Sequence, residues 1–281
     1  MKISKNNLMV MFIVLLLTAL FDNVIFEFPT SAFWFILSCQ LALALLSVSS
    51  IGSFVVRFLF NAREPATREE LERIQNLFEE VYAEVKVKYP KIQKNIKYYI
   101  DDGGFINAYA IGYNTIVITR GSIMHLNDEE LKGIIGHEFG HIVRGDTALQ
   151  SFLLVGNSVF FIIWLMIKVF HLIFFLVSAF TDDDFILSRF WGFLSRSLMY
   201  LVLFIVDSLL LINARACEFQ ADKFSYDLGF GEGLLRVLYQ LDTLEYGVKK
   251  TPIDRIKSSH PNTIERIGAL ERLLLRDEIL V

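Results

Sequence analysis

Four stretches of this chain are too long and too apolar to belong to the core of a small water-soluble domain. A helix rises 1.5 Å per residue, so about 20 mostly apolar residues cross the bilayer's hydrocarbon layer. Leu8–Phe28, Phe33–Phe60, Ser151–Phe180 and Phe190–Asn213 all reach that length. Their charges are few: Asp22 and Glu27 near the end of the first, Arg57 near the end of the second, Lys168 (with His171) in the third, and Arg196 and Asp207 in the fourth. The pattern predicts four transmembrane helices in two hairpins. Lys2 and Lys5 before the first run, and Thr30-Ser31-Ala32 after it, leave a signal peptide as an alternative for that run alone. Over 281 residues, 54% are hydrophobic and 21% charged, which excludes a disordered chain. A net charge of −4 argues against a nucleic-acid binder. Two cysteines, Cys39 and Cys217, cannot make a disulfide framework and fit a reducing compartment.

Orientation follows from Lys and Arg flanking the spans. The connection Asp22–Ala32 has neither, and Thr181–Arg189 sets one Arg against Asp182, Asp183 and Asp184. Lys2, Lys5, Arg57, Arg63, Arg144, Arg215 and Lys223 fall on the other side. Both polar segments are therefore expected on the cytoplasmic face of a multi-pass membrane protein (the cell membrane in a prokaryote). Together they hold roughly 150 residues, a usual size for one domain. The expected organisation is a hairpin over 1–62, the first part of a split domain over 63–150, a second hairpin over 151–213 and the second part over 214–281.

Within the polar segments, Thr67-Arg68-Glu69-Glu70 reads as a capping box ahead of Leu71, Ile74, Leu77, Phe78, Val81 and Val85 at helical spacing. Ile96–Ile100 and Thr115–Thr119 read as short strands, with turns at Asp102-Gly103-Gly104 and Gly112. Asn127 followed by Asp128, Glu129 and Glu130 opens another helix, its carboxylates suiting the positive end of the dipole. His125 stands just before it and is assigned to structure.

That helix contains His137-Glu138-Phe139-Gly140-His141. Residues i and i+4 share a helix face, so both imidazoles can reach one tetrahedral metal. Glu138 projects about 100° away, where it can act as general base on a metal-bound water. The competing reading is two surface histidines on an ordinary helix. Against it stand Gly133, Gly136 and Gly140, each costing about 1 kcal/mol relative to Ala inside a helix unless another backbone packs closely there. A catalytic metal needs a third protein ligand. Position 147 is Thr, so a third histidine six residues past His141 is missing. Glu218 and Asp222 share a face at i and i+4, so one can bind metal while the other orients a ligand histidine. Solvation of an ordinary surface helix is the alternative for this pair.

These residues resemble the HtpX-like membrane zinc metalloproteases, relatives of the CAAX prenyl endopeptidases. The resemblance runs over Ile96–His141, Gly145-Asp146, Glu218–Asp222 and His260–Ile267, with Asn107-Ala108-Tyr109-Ala110, Gly112 and Thr119-Arg120-Gly121 among its landmarks. It implies an α+β fold: a predominantly helical integral membrane protein with a split zincin-like (gluzincin) domain and a small β-sheet. It also implies one Zn2+ per chain on His137, His141 and Glu218, with Glu138 catalytic. Tyr109 stands where the family usually has Phe, away from any ligand.

Beside that motif, Asn107–Gly112 reads as an edge strand whose Asn107, Ala108 and Tyr109 could hold an extended substrate through main-chain hydrogen bonds. An ordinary hairpin strand is the plain alternative. His260 and Arg266 are candidates to stabilise an oxyanion or hold a substrate carbonyl. The expectation is a zinc endopeptidase acting from the bilayer on polypeptides, foremost damaged or misassembled membrane proteins. Processing of a specific or lipidated substrate, or a silent zinc-stabilised scaffold, are the alternatives.

Overall fold

The computed structural model describes residues 4–26, 30–47, 49–59, 61–92, 95–151, 212–245 and 263–280, with Val169, Leu201, Ile205 and Ser208 besides. Helix α1 (Lys5–Phe26) packs beside α2 (Thr30–Ser47). The second apolar run is not one helix as expected. It breaks after Ser47, and α3 (Ser50–Leu59) starts afresh. The Ser49 hydroxyl caps α3, accepting the N–H groups of Ile51 (3.2 Å) and Gly52 (3.4 Å). Ten residues span only about 15 Å, and α3 lies against the β-sheet described below. Arg57 donates to Thr115 (3.3 Å) and sits 4.8 Å from the Tyr99 ring centre. Among the described residues no helix is long and apolar enough to cross a membrane. Most of the third and fourth apolar runs lies outside the described residues, as do Lys168, His171, Arg196, Asp207 and His260.

The Thr67 capping box forms reciprocally: Glu70 N–H donates to Thr67 Oγ1 (3.2 Å) and Thr67 N–H to the Glu70 carboxylate (3.1 Å). A π-helical turn, Glu70–Ile74, then leads into α4 (Gln75–Lys88). The wider turn rotates Leu71 out to solvent while Ile74, Leu77, Phe78, Val81 and Val85 stay buried. Strands β1 (Lys97–Asp101), β2 (Ala108–Ile111) and β3 (Thr115–Thr119) form one sheet in the order β1-β3-β2. β1 runs parallel to β3 and β2 antiparallel, so β2 is an edge strand, as expected from sequence. The β2–β3 turn carries Gly112 at φ +58°, where its absent side chain also admits Ser53 of α3.

The short α5 (Arg120–His125) leads to α6 (Asp128–Arg144). Asn127 caps α6 with a full capping box to Glu130, and Gly145 ends it in the left-handed conformation at φ +72°. α7 (Asp146–Ser151), α8 (residues 212–227), α9 (Gly231–Glu245) and α10 (Thr263–Leu280) complete the described chain. α6 is the central element. Phe139 is fully buried against Phe78 and Tyr82 of α4, with ring centres 5.3 and 5.4 Å away. On another side its glycines admit neighbouring backbones: a Cβ at Gly133 would overlap the Leu234 amide of α9, and one at Gly140 would lie 3.0 Å from Ala221 Cα of α8. The close packing expected at these glycines is there.

Candidate metal centre and catalytic cleft

Burial is the first fact of the site. His137, Glu138 and His141 are 7%, 6% and 7% exposed, which removes the surface-histidine reading. α6 delivers both imidazoles to one place: their Nε2 atoms lie 3.2 Å apart. α8 delivers Glu218, whose carboxylate oxygens are 3.5 Å from His137 Nε2 and 3.6 Å from His141 Nε2. One ligand atom from each of the three residues lies within 4.8 Å of the other two.

Each imidazole is oriented from behind. Asp222 Oδ1 stands 2.9 Å from His137 Nδ1, and Asp146 Oδ2 3.0 Å from His141 Nδ1. Such carboxylates fix the ring and leave Nε2 with its lone pair aimed at the shared point. The pair on α8 thus divides its labour as the sequence allowed, Glu218 forward and Asp222 behind. Asp146 carries no spacing signal of its own; only its place after Gly145 in the family resemblance pointed to it. Arg266, on α10, forks onto Asp222 (2.6 and 2.8 Å) and reaches Glu218 Oε2 at 2.9 Å. Its guanidinium is committed to these carboxylates while also bordering the cleft. Burial works against the Asp222 carboxyl, but the Arg266 hydrogen bonds hold it below the usual carboxylate range.

Charge decides what the cluster suits. Glu138, Glu218, Asp222 and Asp146 stand against the guanidiniums of Arg266 and Arg144, leaving two negative charges uncompensated with neutral imidazoles. Buried charge without a partner is costly. His137 expresses the same demand: burial pulls its pKa down, yet hydrogen bonds to Asp222 and Glu218 hold it up at about 10. Thr147 lines the cleft, and its buried hydroxyl has no hydrogen-bond partner among the described residues. Two nitrogens, a carboxylate, an excess of two negative charges and an orphan hydroxyl fit a divalent cation with bound water. Cys217, next to Glu218, does not compete: burial pushes its thiol up to about 12, so it stays protonated.

A cavity of about 140 Å³ opens in front of the histidines. Its polar wall holds His137, Glu138, His141, Glu218 and Arg266, and Ile134, Leu234, Val237 and Leu238 furnish an apolar side. β2 forms its rim. The Thr119 N–H to Asn107 carbonyl bond (3.1 Å) sets the ladder phase, so Tyr109 and Ile111 pair with β3 while Ala108 and Ala110 turn their main chain outward. The Ala110 N–H donates to the Glu138 carboxylate. Burial raises Glu138 above its ordinary value, against the opposing pull of the two imidazoles. Tyr109 packs on the far sheet face, its hydroxyl donating to Asp101 (3.0 Å). Asn107 is exposed on the cleft side with its backbone pinned by Thr119 and Ser122. His125 ends α5 exposed, away from the cluster.

Residues 68–274 match the model of peptidase family M48. A protease HtpX homolog of Bacteroides fragilis is 41% identical over 113 residues, covering 39% of this chain and 33% of that protein. A CAAX prenyl protease 1 homolog of Dictyostelium discoideum is 31% identical over 254 residues, covering 82% of this chain and 54% of that one. The crystal structure of S. mikatae Ste24p shares the fold at TM-score 0.57 and 19% identity, over 91% of this chain and 62% of its own. The chain therefore spans between a third and about half the length of these two curated relatives.

Proposed function

The chain belongs to peptidase family M48, and from that premise we propose that it is a membrane-embedded zinc endopeptidase. The observation that carries the proposal is the convergence of His137, His141 and Glu218 from α6 and α8, with Glu138 beside them in a cleft rimmed by an edge strand. His137 Nε2, His141 Nε2 and a Glu218 oxygen would hold the ion. Zinc bound there supplies an acidified water and a Lewis acid for the scissile carbonyl.

The chain's own groups do the rest. An extended substrate adds to the outer edge of β2, the Ala108 main chain holding its backbone. The Glu138 carboxylate, raised by burial, accepts the proton of the attacking water and returns it to the leaving amine. The Ala110 N–H keeps that carboxylate turned toward the cleft. Asp222 and Asp146 accept the Nδ1 protons and so fix the face of each ring that turns Nε2 toward the ion. Arg266 balances Glu218 and Asp222 and borders the space where a developing oxyanion would lie.

Damaged or misassembled membrane proteins are the proposed substrates, because α6, ended by Gly145, is followed at once by α7, and the third apolar run comes next in the sequence. Similarity to a CAAX prenyl protease 1 homolog over 82% of the chain supports processing of a lipidated C-terminus as a second reading. The test uses the full chain in detergent. Casein hydrolysis should stop with chelator and return on adding Zn2+, and Glu138→Gln should bind the same zinc yet lose nearly all turnover. Chelator-insensitive hydrolysis would sink the metal assignment. Full turnover by Glu138→Gln would sink the general base, and zinc binding without any hydrolysis in the native protein would leave a silent scaffold.

A further inference from the structure

We infer that Asn7, two residues into α1, is a positioning residue for the metal ligands; this rests on the reading of His137, His141 and Glu218 as those ligands. Asn7 is polar, 0% exposed and remote in sequence from every site residue. Its side-chain nitrogen donates to Asp146 Oδ1 (2.8 Å), while Asp146 Oδ2 takes the His141 ring. Its side-chain oxygen accepts from Asn213 Nδ2 (2.9 Å), on the helix that carries Glu218. The amide cannot be turned the other way round, because a carboxylate accepts only and therefore demands the NH₂ end. One side chain thus bridges the segment following α6, which supports His141, to α8, which supplies Glu218.

The bridge is anchored at its own end. Ser4 N–H donates to the Arg144 carbonyl in the last turn of α6 (3.0 Å), and the Ser4 hydroxyl accepts the Asn7 N–H (3.1 Å). Below it, Val10 packs with Val14 and Leu149 of α7. The start of α1 is therefore seated against the end of α6, and Asn7 transmits that seating to Asp146. Without the amide, Asp146 loses a donor in a buried setting and gains freedom to rotate. The hold on His141 then loosens, and the tie of α8 to the same carboxylate is left to the Cys217 thiol, with Arg144 Nε 3.5 Å from Asp146 Oδ2.

Full-length protein in detergent, as native chain, Asn7→Ala, Asn7→Asp and Val10→Ala, provides the test. Zinc affinity is read by competition with a chromogenic chelator, kcat and KM on a quenched peptide, and Tm separately. Asn7→Ala should weaken zinc binding about 10–100-fold and lower kcat, with KM unchanged within about twofold. Asn7→Asp has nearly the same shape but sets a carboxylate against Asp146, and should lose at least as much. Val10→Ala loosens the same helix and should lower Tm while zinc affinity holds. Asn7→Ala with native zinc affinity and kcat, changed only in Tm, overturns the inference. So does an equal loss of affinity in Val10→Ala, which would assign the effect to helix packing at large. A native protein that binds no zinc would instead overturn the ligand assignment itself.

Discussion

Removing Glu218 and removing Asp222 should give separable defects, although both sit on one face of α8. Glu218 points at the two Nε2 atoms, whereas Asp222 touches only the back of His137 and the Arg266 fork. Loss of a supporting carboxylate typically costs about 10–100-fold in metal affinity or activity, and loss of a ligand should cost more. Atomic emission after dialysis should find Glu218→Ala stripped of zinc and Asp222→Ala partly loaded. Equal content in the two variants would void the division of roles. Arg266 shows why residue type alone misleads: a guanidinium near a protease cleft invites an oxyanion role. Here its donors are bound to Asp222 and Glu218, and substrate must share what is left.

At the scale of elements, α6 is held by contacts that a single methyl group reports. Gly133→Ala improves helix propensity by about 1 kcal/mol, but its Cβ overlaps the Leu234 amide and lies 2.8 Å from the Gly233 carbonyl carbon. Backbone cannot yield as a side chain does, so α6 and α9 must part, and overpacking of this kind costs about 1–3 kcal/mol. Gly268→Ala in α10 meets only Arg272 Nη1 at 3.6 Å and keeps the propensity gain. Thermal unfolding should therefore move down for the first and up for the second; the same sign in both would refute the packing argument. The start of α4 responds to pH instead. Arg63 hydrogen bonds, outweighing burial, lower the Glu70 carboxyl from its ordinary 4.5 to about 2. Since the folded value is depressed, the group's stabilisation is complete above about 4.5 and disappears as pH falls toward 2. Glu70→Gln should be less stable than the native chain at pH 6, with the gap closing across that window. A gap that persists unchanged at pH 2 would place the effect in packing rather than charge.

At the scale of the whole molecule, the charge asymmetry predicts the side of the membrane on which the cleft lies. Lys and Arg flank the polar segments and are nearly absent from Asp22–Ala32 and Thr181–Arg189, which puts the cleft in the cytoplasm under the proposed topology. Single cysteines at Ser31, Asp183 and Ser258, in a Cys39→Ala, Cys217→Ala background, check this with an impermeant maleimide on intact cells. Labelling is expected at Ser31 and Asp183 and not at Ser258. The reverse pattern would invert the topology and exchange the substrate compartment.

What the sequence determined by itself is local and periodic. The spacing of His137 and His141, the Asn127 and Thr67 caps, the strand at Thr115–Thr119 and the glycine stripe of α6 follow from helix and strand repeats and from hydrogen bonds spanning three residues. Such features are complete within one segment, so a reader of the sequence finds them. Tertiary structure alone decided how segments meet. It chose Glu218 rather than Asp222 to face the imidazoles, because an i, i+4 pair shares a face and only the seat of α8 against α6 separates their directions. It started a new helix within the second apolar run, where the Ser49 hydroxyl caps α3, and laid α3 with Arg57 and Ser53 against the sheet, contacts that lie far off in the sequence. It joined Asn7 to Asp146 across nearly half the chain, a pairing without period or spacing to announce it. Periodicity governs what one helix buries; the site was built where several helices, each legible alone, had to share the same buried charge.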